Sequence, residues 1–295
     1  MVLVLGATGQ QGGAVAQALR VRNRWVRALV RNPASAAAKT LINNGVEVVD
    51  GNLDVAADLR AAMHGVHGVF SVQPNSGNPG SDTTDADEIR MGKLIADLAV
   101  EAGVRHLVYA SASVISDGPT GIANLDCKLE IEAHVQALPI VTTIVRPSTF
   151  MTLLARPDFW SDEGVFTFFG APDLPIELIA PDDIGKVVAM VFENRARFEG
   201  RAIDIAGDII SGVEIVAALS RALGIAVTYR RFPDQLLAQV PTLAKTVRLF
   251  DSGGAAGHAD IAALTEAFGP LTSLDSWLAG PGTPMVKGAL DASRE

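Results

Sequence analysis

The chain opens on an uninterrupted apolar run, Val2-Leu3-Val4-Leu5, too short for a helix and without polar alternation. That is the pattern of a strand buried on both faces. Comparable short apolar runs recur at Trp25–Val30, Val46–Val49, Gly68–Val72, His106–Ala110 and Val141–Val145. Between them, Ala14–Arg22, Asp54–Met63, Ala86–Ala102 and Asp126–Leu138 carry apolar residues at three- and four-residue spacing, which predicts amphipathic helices. Alternating strands and helices of this kind predict an α/β fold built on a doubly wound parallel sheet. Later, Pro181–Glu193 reads as a helix with Asp182 and Asp183 in its first turn, and Ala202–Ala206 as a strand; both are expected to return to the sheet. Ser211–Leu223 reads as a helix closed by Gly224, Tyr229-Arg230-Arg231-Phe232 as a strand, and the stretch onward to Trp277 as further helices. The expected organisation is a sheet domain over residues 1–150, rejoined by 176–208, and a smaller, mostly helical lobe made of 151–175 and 209–295.

The first strand runs directly into Gly6-Ala7-Thr8-Gly9-Gln10-Gln11-Gly12-Gly13. A buried parallel strand, closely spaced glycines and then a helix form the first turn of a dinucleotide-binding βαβ unit. Gly6 permits the tight turn, Gly9 lets the backbone approach a pyrophosphate, and Gly12 lets the helix pack close to the strand. The amides at the helix start and the positive end of its dipole favour phosphate. Thr8, Gln10 and Gln11 share this loop.

Open parallel sheets bind ligands at the carboxyl ends of their strands. That rule selects Gly6–Gly12, Arg31, Asn52–Asp54, Gln73–Asn75, Ala110–Ser113 and Arg146–Phe150. An NAD fingerprint places an acid at the end of the second strand, but here that strand ends Leu29-Val30-Arg31-Asn32. Arg31 offers a planar cation suited to the extra phosphate of NADP, with Asn32 as an added donor and Lys39 as a second cation. The third strand ends near Asn52 and Leu53, expected beside the adenine, and Asp54 reads as the N-cap of the next helix.

Composition narrows the partners. The 295 residues are 48% hydrophobic and 19% charged, enough apolar content for a substantial core. A net charge of −9 argues against direct nucleic-acid binding. No apolar run approaches the roughly 20 residues that span a bilayer. Residues 1–5 belong to the fold, so neither a leader nor membrane attachment is expected. The single Cys127 excludes an internal disulfide, fits a reducing, cytoplasmic setting, and reads as packing rather than a nucleophile. No histidine shows ligand spacing, so no metal site is expected.

Together with the glycine loop, Arg31-Asn32-Pro33, Gly51-Asn52-Leu53-Asp54, Arg146-Pro147 and Ala180-Pro181-Asp182-Asp183-Ile184-Gly185 resemble the NmrA-like group of atypical short-chain dehydrogenases/reductases over nearly the whole chain. The resemblance implies a Rossmann-type domain that binds NADP(H), with a smaller C-terminal lobe forming a cleft. Members of the group include NAD(P)H-dependent quinone reductases, relatives of isoflavone reductase, and proteins that bind the dinucleotide and regulate others without turnover. Ordinary short-chain reductases carry a Tyr four residues before a Lys that holds the nicotinamide ribose. By that position Lys128 is the candidate catalytic and ribose-holding residue, but Asn124 stands where the tyrosine is expected. Tyr109 in the fifth strand and Tyr229 in the second lobe, the chain's two tyrosines, lie elsewhere. In the strand end Tyr109-Ala110-Ser111-Ala112-Ser113, Ala112 falls nearest the place of the usual serine. Lys128 can still bind ribose hydroxyls and, if burial loosens its proton, deliver one.

Quinones, enones and imines accept hydride and draw their proton from solvent, so they suit such a site better than a simple ketone does. Gln73 and Phe150 are expected against the cofactor. Asn75, Met151, Trp160 and Phe166, with Phe168 and Phe169 nearby, are expected to wall the substrate pocket, or equally to form an apolar seam. Two functions stay open: an NADPH-dependent oxidoreductase acting on a small planar molecule, and an NADP(H)-sensing regulator that acts on a protein partner. An epimerase or dehydratase ranks below both, and a homo-oligomer is compatible with either.

Overall fold

The computed structural model describes residues 1–77, 82–115, 117–161 and 163–294. In chain order the elements are β1 (Val2–Val4), α1 (Gln10–Val21), β2 (Val26–Val30), α2 (Ala36–Asn43), β3 (Glu47–Asp50), α3 (Ala56–Met63), β4 (Gly68–Ser71), α4 (Asp85–Glu101), β5 (His106–Ala110), α5 (Ala123–Ala137) and β6 (Thr142–Pro147). There follow β7 (Thr149–Phe150), β8 (Val165–Phe168), β9 (Pro175–Ile179), α6 (Pro181–Glu193), α7 (Arg195–Phe198), β10 (Ala202–Ile205), β11 (Asp208–Ser211), α8 (Gly212–Leu223) and β12 (Thr228–Arg231). Helices Asp234–Gln239, Pro241–Asp251, Ile261–Phe268, Leu274–Trp277 and Thr283–Ala292 complete the chain. Two compact units result: Met1–Pro119 with Ala123–Arg146 and Pro181–Ile203, and Thr120–Ile122 with Pro147–Ala180 and Asp204–Glu295.

Seven strands form one sheet in the order β10-β6-β5-β4-β1-β2-β3, as the alternating pattern predicts. Val4 lies beside Ala28 on one side and Phe70 on the other, in parallel register, so the order reverses direction between β1 and β4. Leu3, Leu5, Val69, Leu107 and Tyr109 are fully or almost fully buried with Ile95 of α4 and Ile131 of α5. The returning helix α6 packs on α1 because Gly185 has no side chain; a Cβ there would collide with the Ala14 carbonyl. β10 joins the sheet edge, with the Ile144 N–H donating to the Arg201 carbonyl at 2.8 Å.

Three local expectations need correction. Helix α2 is not among the helices the sequence pattern predicts; it is short, and Ala38 and Leu41 are its only buried residues. Ser35 starts it by accepting the Ala38 N–H at 3.2 Å. Asp54 does not cap α3: Val55 occupies that position without a side-chain bond, and Asp54 pairs with Arg90 at 2.7 Å. Helix α5 begins at Ala123, three residues before the expected start, so Lys128 lies in its second turn and is buried.

His106 carries a pH-dependent part of the stability. Thr143 Oγ1 donates to the Phe198 carbonyl at 2.8 Å and so accepts from His106 Nε2 at 2.9 Å. Nδ1 is buried without a partner, so this network assigns a neutral ring protonated on Nε2. Burial, aided by Arg195 and His67, lowers its pKa from 6.5 to about 4. The unfolded chain therefore binds a proton that the native ring refuses, and stability falls as pH drops from about 6.5 to about 4. Denaturant titrations across that window are expected to show a loss of about 3 kcal/mol, at about 1.4 kcal/mol per pH unit. The His106→Gln variant should remove that slope; an unchanged slope would refute the assignment.

The second unit holds a three-stranded sheet, β11-β9-β7, and the parallel pair β8 and β12. Its core contains Met151, Phe159, Trp160, Phe166 and Phe168. Helix α8 has a capping box, in which Ser211 and Glu214 exchange side-chain bonds with each other's backbone N–H, and it ends at Gly224 with φ +68°. Glu177 of β9 has no exposed surface, and its Oε1 accepts the N–H groups of Gly257, His258 and Ala259, each at 2.9 Å.

Candidate functional site

The glycine loop leaves β1 at the point where the strand order reverses. Gly6 has φ +64°, and a Cβ on it would lie 2.7 Å from the Val72 side chain beyond β4. Gly12 is pressed on the loop itself: a Cβ there would overlap the Gly6 carbonyl and lie 2.7 Å from the Ala7 nitrogen. Gly9 is the N-cap of α1 and has no side chain to cap it. Its missing Cβ would meet the Gly6 oxygen at 3.3 Å and nothing else within 4 Å, which leaves its outer side open to a ligand. Gln11 Oε1 is buried without a hydrogen-bond partner. A tight backbone cradle and a helix start whose N–H groups take no side-chain cap fit the pyrophosphate of a dinucleotide. A recess of about 220 Å³ flanks the loop on the side of α2, between Thr8, Gly9, Gly13, Gln17, Thr40 and Asn44.

The arginines around β2 divide cleanly. Arg20 donates to the Arg24 carbonyl at 2.8 Å, Arg22 and Arg24 face Glu193, and Arg27 pairs with Glu47 at 2.9 Å. Arg31 is exposed and has no hydrogen bond or ion pair among the described residues. Its guanidinium retains every donor at the carboxyl end of the strand, where an NADP phosphate requires a cation. Asn32 Oδ1 is occupied, accepting the Ala34 N–H at 3.0 Å. Asn52 and Leu53 stand half-buried at the end of β3; the Asn52 N–H donates to Asp58 at 2.9 Å and Asn52 Oδ1 accepts from the Asp54 N–H at 3.2 Å.

At the ends of β4 and β5 the polar groups are more enclosed. Gln73 is buried and donates to Ser71 Oγ at 2.7 Å. Asn75 Oδ1 accepts the Gly77 N–H at 2.6 Å. Lys128 forms an ion pair with Glu88 of α4, and both are buried. Glu132, on the next turn of α5, takes the Arg146 guanidinium in two bonds of 2.9 and 2.6 Å, which joins α5 to β6. Cys127 is buried and its thiol is pushed up to about 12, chiefly by desolvation, so it has no thiolate character near neutrality.

No phenol takes the missing motif position. Tyr109 is 1% exposed, its hydroxyl is buried without a hydrogen bond, and burial, with Glu88 nearby, pushes its pKa well up. Tyr229 belongs to the second unit and donates to the Phe169 carbonyl at 2.7 Å. Asn124 lies half-buried on α5, one turn before Lys128, against Gly77.

Three expected pocket residues are core residues instead. Phe166 and Met151 have no exposed surface, and Trp160, 6% exposed, spends its indole N–H on the Leu154 carbonyl at 2.9 Å. Their aromatic and apolar bulk is consumed by packing within the second unit, where Phe159 contacts Phe166 and Phe168 edge-on. Phe150 stays half-buried on β7, paired with Ile179 of β9. Glu88 is the polar residue that the sequence reading overlooked. Its signal was positional: Glu88 precedes Met91, Gly92 and Ile95 on the buried stripe of α4, where a charged side chain needs a partner. Among the described residues no cluster of His, Cys, Asp and Glu is placed to hold a metal ion, and no helix is long and apolar enough to cross a membrane.

Fold and loop geometry define a Rossmann-type α/β protein. The chain belongs to the NmrA-like family, whose model matches residues 1–272. It is 35% identical over 227 residues, 76% of this chain and 74% of the relative, to (4-alkanoyl-5-oxo-2,5-dihydrofuran-3-yl)methyl phosphate reductase of Streptomyces griseus. It is 32% identical over 279 residues, 86% of this chain and 82% of the relative, to an NmrA-like family domain-containing oxidoreductase of Aspergillus campestris. The crystal structure of NmrA, a negative transcriptional regulator in complex with NADP, shares the fold with a TM-score of 0.78 at 20% identity, covering 97% of each chain.

Proposed function

We propose that this protein is an NADPH-dependent oxidoreductase that passes hydride to a small conjugated acceptor, a quinone, an enone or an imine. The observation that carries the cofactor half is Arg31, a cation without a partner among the described residues, at the strand end beside a glycine cradle. Support for turnover comes from the relatives, two of which are a reductase and an oxidoreductase. The Streptomyces reductase is named for a dihydrofuran ring bearing an oxo and an alkanoyl group, the chemistry of an enone.

The chemistry such a cofactor supplies is hydride donation from the reduced nicotinamide. The protein's part is binding and orientation. Gly6, Thr8, Gly9, Gln10, Gln11 and Gly12 receive the pyrophosphate at the start of α1, and Arg31 takes the additional phosphate. Asn52 and Leu53 border the adenine, and Gln73 is assigned to the cofactor with them. Lys128 offers its ammonium to ribose hydroxyls, and Asn75 is the polar residue assigned to the acceptor. The proton that completes reduction comes from solvent, because the first unit's only tyrosine hydroxyl, that of Tyr109, is sealed in the core.

That same absence of an accessible phenol favours a second reading, an NADP(H)-sensing regulator without turnover. One experiment separates them: NADPH oxidation across a quinone, enone and imine panel, with NADPH and NADH dissociation constants for wild type and Arg31→Ala. The oxidoreductase reading expects turnover with at least one acceptor class. Loss of one charge-assisted contact, about 1.5–3 kcal/mol, should cut the NADPH-over-NADH preference by about ten- to a hundredfold in Arg31→Ala. Tight NADPH binding without oxidation of any acceptor would favour the regulator, and a preference indifferent to Arg31 would sink the NADP assignment.

A further inference from the structure

We infer that Glu88 is the positioning residue of this site, holding the Lys128 ammonium in place and tying it to the segment that follows β4. The inference rests on the proposed role of Lys128 at the cofactor ribose. Glu88 sits in the first turn of α4 and Lys128 in the second turn of α5. They are 2% and 7% exposed, respectively, and one carboxylate oxygen of Glu88 accepts from Lys128 Nζ. The other, Oε2, accepts the Ser76 N–H at 3.3 Å, so one side chain joins two helices and the strand-end segment that carries Gln73 and Asn75.

Stability alone is a weak reason for such a pair. Taking two charges out of water costs about as much as their attraction returns, and apolar residues of similar volume do as well. The neighbouring pair is built differently: Arg146 and Glu132 engage in two parallel bonds that use both carboxylate oxygens. Lys128 differs. An ammonium has three donors, and among the described residues Glu88 takes one of them. The remaining two suit a vicinal diol, whose adjacent hydroxyl oxygens both accept. Glu88 thereby converts a flexible four-carbon amine into a fixed donor pair at the carboxyl edge of the sheet, where cofactor ribose is expected. The rotamer freedom of Lys128 is already lost before the ligand arrives, and preorganisation of this kind appears directly in affinity.

The test is a double-mutant cycle read by NADPH fluorescence titration, with thermal denaturation of each variant alongside. Lys128→Met should weaken NADPH binding about tenfold or more. Glu88→Gln, which keeps the shape and an acceptor oxygen but removes the charge, should weaken it several-fold. In the Lys128→Met background the same Glu88→Gln change should have no further effect on NADPH, because its action passes through the lysine. Glu88→Asp, which retains the charge one methylene short, should recover part of the loss and replaces Glu88→Gln if that variant does not fold. Equal losses from Glu88→Gln in both backgrounds, or no loss in either, would overturn the positioning role. If Lys128→Met itself leaves NADPH affinity unchanged, the ribose role of the lysine falls instead.

Discussion

Gly12→Ala is expected to weaken NADPH binding about a thousandfold while the protein remains folded. The added methyl group would occupy the space of the Gly6 carbonyl and press on the Ala7 nitrogen, both of them backbone, so no side chain can turn aside. The loop must move away from the start of α1. Two or three amide contacts to phosphate, at about 1.5–3 kcal/mol each for a charged acceptor, then lose their alignment, which amounts to about 4 kcal/mol or a thousandfold. The neighbouring Gly13→Ala is the control: its Cβ would meet only the Ala7 oxygen, at 3.3 Å. A shift of a few tenths of an ångström relieves that contact, and alanine adds up to about 1 kcal/mol of helix propensity. Isothermal titration of both variants, with circular dichroism for the fold, makes the comparison. Equal affinities for the two would show that the cradle does not hold the cofactor.

Glu177→Ala is expected to cost the second unit about 4 kcal/mol of stability. Three backbone N–H groups, those of Gly257, His258 and Ala259, converge on Glu177 Oε1. Removing the carboxylate leaves all three without that acceptor, at about 1–3 kcal/mol for each group that stays buried. Glu177→Gln keeps an acceptor oxygen and should lose about half as much. Hydrogen exchange at these three amides, measured with denaturant unfolding, locates the effect: exchange should accelerate there first. Unchanged protection at 257–259 in Glu177→Ala would mean that other contacts hold the segment.

Much of the first unit was legible in the sequence because its signals are local. A strand buried on both faces needs continuous apolar residues, and a backbone turn against a helix needs glycine where a Cβ would collide, so Gly6 and Gly12 announce themselves without tertiary information. Gly224 closes α8 for the same kind of reason, its φ of +68° being costly for other residues. Arg31 was legible as a cation at a strand end, but only the structure shows Arg20, Arg22, Arg24 and Arg27 each engaged elsewhere and Arg31 left over.

What the sequence could not supply were the partners of side chains far apart along the chain. Asp54 looked like a helix cap until Arg90, 36 residues away, claimed it. Trp160 and Phe166 carry the right chemistry for a planar pocket, yet the same apolar surface is worth more buried, and their unit buries it. Lys128 and Glu88 are 40 residues apart, and nothing local in the sequence pairs them. By itself the sequence determined the strand order's building blocks, the glycine cradle and the absence of the motif tyrosine, because sterics and periodicity act between near neighbours. Only the tertiary structure decided which charges are buried, which are paired and which stay free, because burial and pairing depend on what the fold brings together from distant parts of the chain.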